Sequence, residues 1–155
     1  MDDFEGCYER LYVYAFRAAL RVVGEREAAR DVASETLARA YSRWRLVAGH
    51  SEAWVTRVAI NLALDTVRRR RPSLISVPAT NREPSPERVV VASELARLPR
   101  RQREALVLRY MVDLDEKSSA EVLGITIGTL KTHVARGLSA MRKRLGRDWT
   151  FGADA

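Results

Sequence analysis

The sequence predicts an all-α protein of two small helical domains, an N-terminal helical bundle and a C-terminal helix-turn-helix bundle, joined by a Pro-rich linker. Three observations carry that expectation. Apolar residues recur at intervals of three and four along most of the 155 residues, which is the period of a helix face. No stretch alternates apolar and polar residues with the period of two that a half-buried strand needs. Four of the five prolines, Pro72, Pro78, Pro84 and Pro86, crowd into PSLISVPATNREPSP, which keeps neither period for long. The expected divisions are 1–71 for the first domain, 72–85 for the linker, 86–147 for the second domain and 148–155 for a tail.

The first helix is expected from Phe4, Cys7, Tyr8, Leu11, Ala15, Phe16, Ala19, Leu20 and Val23, with Gly24 as its stop. Cys7 lies on that apolar stripe, which makes it a core residue. A second helix runs from Glu25 to Trp44 with Ala29, Val32, Ala33, Leu37, Ala40 and Trp44 inward and Arg30, Glu35, Arg39 and Arg43 toward the other side. RLVAGHS, residues 45–51, is expected as a loop with Ser51 as N-cap. Trp54, Val55, Val58, Ala59, Leu62 and Ala63 carry a third helix into Arg68-Arg69-Arg70-Arg71, and Pro72 ends it. Ser85-Pro86 opens a short helix with Val89, Val90, Ala92, Leu95 and Ala96 as its apolar positions, and Pro99 restarts the chain. RRQREALVLRYMVDL and DEKSSAEVLG are expected as two further helices, the second closed by Gly124. Thr126 then caps a last helix with Leu130, Val134, Leu138, Met141 and Leu145 on its apolar side.

Lysine and arginine total 27 against 20 aspartate and glutamate, a net charge of +7. An acidic, solvating chain is therefore excluded, and a negatively charged partner is expected. The lysines are Lys117, Lys131 and Lys143, and all the remaining basic residues are arginine, whose planar fork grips phosphate oxygens in pairs. Cys7 is the single cysteine, and with His50 and His133 beside it no zinc set can close; no metal and no cofactor are expected. The opening Met1-Asp2-Asp3-Phe4-Glu5 lacks the basic and apolar regions of a signal peptide, and no apolar run approaches the roughly 20 residues that span a bilayer. A cytoplasmic protein without membrane association is expected.

AEVLGITIGTLKTHVARGL is the most specific feature: a helix, a Gly-containing turn, a polar N-cap and a helix that starts with small and basic groups. A major groove about 12 Å wide admits one helix, and its first turns reach the base edges. Thr126 and Thr129, with the free amides of the helix start, can bind phosphate, while Lys131, Thr132, Ala135 and Arg136 fall where base or backbone contacts belong. A plain helical hairpin with solvated charges is the competing reading; from residue 96 onward 12 basic against 7 acidic residues give +5, which favours DNA. On the third helix, Arg57, Asn61, Leu64 and Arg68 share a face opposite Trp54, Val58 and Leu62. That face suits nucleic acid, since Asn pairs with base edges and Arg with phosphate, and equally suits plain solvation. The run of four arginines exceeds what a helix C-terminal dipole needs and would anchor phosphate.

From Phe4 to about Leu145 the chain resembles the bacterial RNA polymerase sigma factors of the extracytoplasmic-function type, and within them an actinobacterial sigma-E-like subset. The resemblance rests on AARDVASETLARAYSRW, AWVTRVAINLALDTVRRRR, LPRRQREALVLRYMVDL and AEVLGITIGTLKTHVARGL in that order. It implies a dissociable polymerase subunit that docks on the clamp helices of the beta-prime subunit and the flap of the beta subunit and directs promoter-specific initiation. Its first domain would melt the minus-ten element and its second would read the minus-thirty-five element. Carried over, Asp31, Glu35, Arg39 and Trp44 fall at polymerase contacts. Gly49, His50, Arg57, Asn61, Arg68 and Arg69 fall at the minus-ten element, with Asn61 and the 45–51 loop capturing a flipped base. Lys117, Thr126, Thr129, Lys131, Thr132, His133 and Arg136 fall at the minus-thirty-five element. An anti-sigma factor is a further implied partner.

The chain departs from the family pattern at Ser34, where Gln is usual, at Leu37, where an aromatic is usual, at Ser118-Ser119-Ala120 in place of Glu-Ile-Ala, and at His133 in place of a frequent Arg. The alternative is a stand-alone helix-turn-helix regulator of repressor or response-regulator output type, which leaves residues 1–71 without a role because they show no strand period for a receiver domain. An enzyme is not expected: there is no Ser/His/Asp or Cys/His arrangement and no phosphate-cradling Gly loop. A membrane-surface protein is disfavoured because the basic residues spread over several helices.

Overall fold

A computed structural model describes residues 3–69 and 85–151 of the chain. Arg70, Arg71, Pro72, Pro78 and Pro84 lie outside the described residues, as do positions 152–155 of the tail. The order is α1 (Phe4–Val23), α2 (Arg26–Ser42), α3 (Trp44–Val47), a 3-10 turn (Ala48–His50), α4 (Ser51–Arg69), α5 (Pro86–Ala96), α6 (Arg100–Leu106), a π-helical segment (Val107–Met111), α7 (Glu116–Leu123) and α8 (Ile127–Leu145). All regular structure among the described residues is helical, as the apolar period predicts.

The helix ends follow local chemistry. Asp3 caps α1 by accepting from the Gly6 amide at 2.7 Å, and Gly24 ends it in the left-handed region at φ 73 with its amide on the Leu20 carbonyl. Ser85 caps α5 ahead of Pro86, and Asp115 caps α7 by accepting from the Ser118 amide at 2.7 Å. Such caps satisfy amides that have no partner inside the helix. The core of the first half is built from α1, α2 and α4, which bury Leu11, Ala15, Val22, Ala33, Leu37, Val55, Ala59 and Ile60. Each large aliphatic side chain so enclosed contributes about 1.5–3 kcal/mol. In the second half α6, α7 and α8 enclose Leu106, Leu108, Leu123, Leu130 and Met141.

Four expectations are corrected. Residues 45–51 are not a loop: Trp44–Val47 is a helical turn continued by the 3-10 turn. Ser51 has helical angles, φ −60 and ψ −40, and belongs to α4 instead of capping it. The long helix expected from Arg100 gives way to a π-helical segment, where the Val112 amide reaches the Val107 carbonyl at 2.9 Å and Asp113 takes φ 60. The largest correction concerns α4. Its buried side is Val55, Ala59, Ile60, Ala63, Leu64 and Val67, whereas Trp54, Val58 and Leu62 are only half-buried. The face carrying Asn61 and Leu64 is not solvated because helices from the second half of the chain pack on it, and the buried residues of both halves form one continuous cluster. Two residues of the tail pack on the second half of the chain: Phe151 stacks on Tyr110 at 4.9 Å and meets Trp149 edge-on at 4.6 Å.

Candidate nucleic-acid interface

The helix-turn-helix is α7, a left-handed Gly124 at φ 64, and α8. Thr126 sets the start of α8: its Oγ1 accepts from the Thr129 amide at 3.1 Å and lies 2.9 Å from the Thr129 hydroxyl. The Thr132 hydroxyl donates back to the Gly128 carbonyl at 3.1 Å. Lys131 Nζ stands 3.3 Å from Glu116 Oε2, tying the exposed side of α8 to α7. Thr126, Thr129, Lys131, Thr132 and Arg136 are all exposed on the first half of α8, and Lys117 is exposed on α7. His133 stands apart from them. It is half-buried, with Nδ1 enclosed and without a hydrogen-bond partner, so one edge of the ring faces the protein. The helix can approach so closely behind because Gly137 has no side chain: a Cβ there would lie 2.9 Å from Leu106 Cδ1.

In the first half of the chain, Asp31, Glu35 and Arg39 are exposed along α2, with Arg39 Nε donating to Glu35 Oε1 at 2.7 Å. Trp44 does not share that surface; it is half-buried and packs edge-on against Phe4 at 5.3 Å. Gly49 and His50 are exposed on the 3-10 turn and line a cleft of about 580 Å3 whose opposite wall includes Ser118 and Glu121 of α7. Arg68 and Arg69 are exposed at the end of α4, Arg68 paired with Asp65 at 3.1 Å.

Arg57 and Asn61 are in a different state. The Asn61 amide nitrogen donates to the Arg57 carbonyl at 2.9 Å and to Glu104 Oε1 at 3.1 Å, while its Oδ1 is buried without a partner. Glu104 is fully buried and also accepts from Arg100 Nε at 2.8 Å. Burial pulls the Arg57 guanidinium below its ordinary range, the Glu104 carboxylate opposes that shift, and repulsion from Arg101 and Arg100 adds to it. Glu104 was not legible as a site residue, since a carboxylate four positions from Arg100 resembles an ordinary surface pair.

Residues 7–72 match the family Sigma-70 region 2, and residues 88–141 match Sigma-70, region 4. The chain is 30% identical over 140 residues to the RNA polymerase sigma-E factor of Streptomyces coelicolor, covering 83% of this chain and 78% of that one. It is 29% identical over 153 residues to the ECF RNA polymerase sigma factor SigW of Bacillus subtilis, covering 84% of this chain and 82% of that one. In fold it is similar to CnrH, solved in complex with the cytosolic domain of CnrY, with TM-score 0.53, 24% identity, and coverage of 94% and 89% of the two chains. A similar likeness, TM-score 0.51 at 20% identity over 96% of this chain and 100% of the other, is to the sigma factor RpoE of Bartonella quintana, solved with the anti-sigma factor NepR. The chain belongs to the sigma-70 family, as an RNA polymerase sigma factor of the extracytoplasmic-function type. Such proteins bind core RNA polymerase and promoter DNA and direct transcription initiation; they are transcription regulators and not enzymes. The region 2 match gives residues 7–72 the role that a stand-alone helix-turn-helix regulator leaves empty.

Proposed function

We propose a division of labour within this sigma factor. Asp31, Glu35 and Arg39 on α2, together with the half-buried Trp44 at the start of α3, meet the clamp helices of the polymerase beta-prime subunit. The second half of the chain sits near the beta flap and places α8 in the major groove of the minus-thirty-five element. There Lys131, Thr132 and Arg136 meet bases and phosphates, Thr126 and Thr129 hold the helix start and its free amides, Lys117 lies alongside, and His133 contributes only its outer edge. Gly49, His50, Arg57, Asn61, Arg68 and Arg69 serve the minus-ten element, where an extruded base recovers in a protein pocket part of the few kcal/mol spent on unstacking it. The domain divisions 1–71, 72–85, 86–147 and 148–155 follow this assignment. The protein works in the cytoplasm beside the polymerase, and no helix among the described residues is long and apolar enough to cross a membrane. An anti-sigma factor is a fitting partner, as NepR is for the RpoE of Bartonella quintana solved with it.

The observation that carries this reading is the shared exposure of Thr126, Thr129, Lys131, Thr132 and Arg136 on the first half of α8. Run-off transcription with bacterial core polymerase on fragmented genomic DNA tests it. New start sites preceded by a common upstream motif and a minus-ten-like motif are expected. Absence of both transcripts and co-migration with core enzyme would overturn it.

A further inference from the structure

A cavity of about 290 Å3 lies beside α4, where the end of α5 and the start of α6 pass it. Three guanidiniums line it, Arg39 of α2 and Arg100 and Arg103 of α6, while α4 supplies Val58, Leu62 and Asp65. Two helices remote in sequence thus bring arginines to one concave wall, and the wall facing them is half apolar.

These arginines are only partly used. Arg39 and Arg100 spend Nε on Glu35 Oε1 at 2.7 Å and on Glu104 Oε1 at 2.8 Å, and among the described residues no hydrogen bond engages their terminal amino groups. Arg103 gives one amino group to the Ala96 carbonyl at a long 3.4 Å, and its Nε is buried without a partner. Asp65, the acid in the wall, is already paired with Arg68 at 3.1 Å. Behind the cavity Arg57, Arg100 and Arg101 share the single carboxylate of Glu104, and the two α6 arginines repel Arg57. A guanidinium carries five N–H donors in a fork that matches phosphate oxygens in pairs. Unspent donors converging on a cavity, with more positive than negative charge behind them, suit an anion with several oxygens.

We propose that this cavity binds a nucleoside di- or triphosphate, with the phosphate chain on Arg39, Arg100 and Arg103 and the base against Val58 and Leu62. The mixed lining favours a nucleotide over a bare phosphate chain. Val58 and Leu62 are half-buried, and a flat ring laid on them removes apolar surface from water, which an inorganic anion cannot do. The volume sits at the lower end of small-molecule sites, about 300–1,000 Å3. Arg100 is exposed, so the cavity opens to solvent and need not enclose the whole ligand.

Isothermal titration calorimetry on the full chain, with ATP, GTP and inorganic pyrophosphate as probes, tests the site. ATP or GTP should bind more tightly than pyrophosphate. Arg103→Gln and Arg100→Gln should each weaken the nucleotide about tenfold, the weight of one charged hydrogen bond. Arg147→Gln removes the same charge from an exposed position outside the cavity and should leave the affinity unchanged. Equal weakening by all three variants would reduce the binding to net charge and overturn the site. Equal affinity for pyrophosphate and both nucleotides would overturn the nucleoside half of the proposal. Amide chemical shifts of the unsubstituted chain keep the answer readable if a substitution disturbs α6: nucleotide should move the signals of residues 58–65 and 96–103. Movement confined to α8 would place the anion on the recognition helix and overturn the cavity, as would no binding of any probe by either method.

Discussion

Gly137 of α8 lies so close to Leu106 of α6 that a Cβ would meet the Leu106 side chain at 2.9 and 3.0 Å and the Gln102 carbonyl at 3.5 Å. The crossing of the recognition helix over α6 therefore depends on a missing side chain. Gly137→Val should overpack this contact and lower the stability of the second half by about 1–3 kcal/mol, measured by urea unfolding. Its helix propensity is better than that of glycine, so an unchanged midpoint would show that Leu106 moves aside freely.

Thr126→Ala removes the side-chain cap of α8, and a loss of about 1 kcal/mol is expected. The measurement is thermal unfolding followed by circular dichroism at 222 nm. Arg136→Ala, on an exposed position, should leave the unfolding curve in place. It should weaken promoter binding and reduce the slope of log affinity against log salt by about 1, as removal of one phosphate contact does; an identical slope would contradict a phosphate role.

Acid should act on α7 through Asp115. Hydrogen bonding from the Ser118 amide, and to a lesser degree from its hydroxyl, holds the Asp115 carboxylate below its ordinary range. A depressed folded value means that the stabilisation is fully present above the unfolded value, roughly 3.9, and fades as pH falls through the lower folded one. Asn caps helices about as well as Asp but does not titrate. Asp115→Asn should therefore match the parent in melting temperature at pH 7 and lose less of it between pH 5 and pH 3. Parallel losses would remove the cap from the acid response.

Asn61→Ala should bind core polymerase as the parent does and fail to open the promoter. Permanganate footprinting of unpaired thymines reports the opening, and native gel migration with core enzyme reports the binding. Normal footprints would remove Asn61 from the minus-ten site.

The helices and their ends were legible because they are local facts. Gly24, Ser85, Gly124 and Thr126 act on amides or carbonyls within a few residues of themselves. The outward set on α8 was legible for the same reason, since spacing of three and four places Thr129, Thr132 and Arg136 on one side. Ser51 misled because a hydroxyl residue before an apolar run signals a cap, while the preceding turn here is already helical. The half-burial of His133 and Trp44 was not legible, because spacing gives a direction on a helix and not what stands in that direction; an enclosed Nδ1 and a Phe4 ring stand there.

By itself the sequence determined two sets of helices, the caps at Ser85 and Thr126 and the stops at Gly24 and Gly124, the turn between α7 and α8, and the basic, small-residue start of the recognition helix, because each is set by interactions inside one or two turns. Only the tertiary structure decided which face of α4 is buried and what Asn61 touches. Its partner Glu104 lies 43 residues away, and a contact between distant segments leaves no period in either of them.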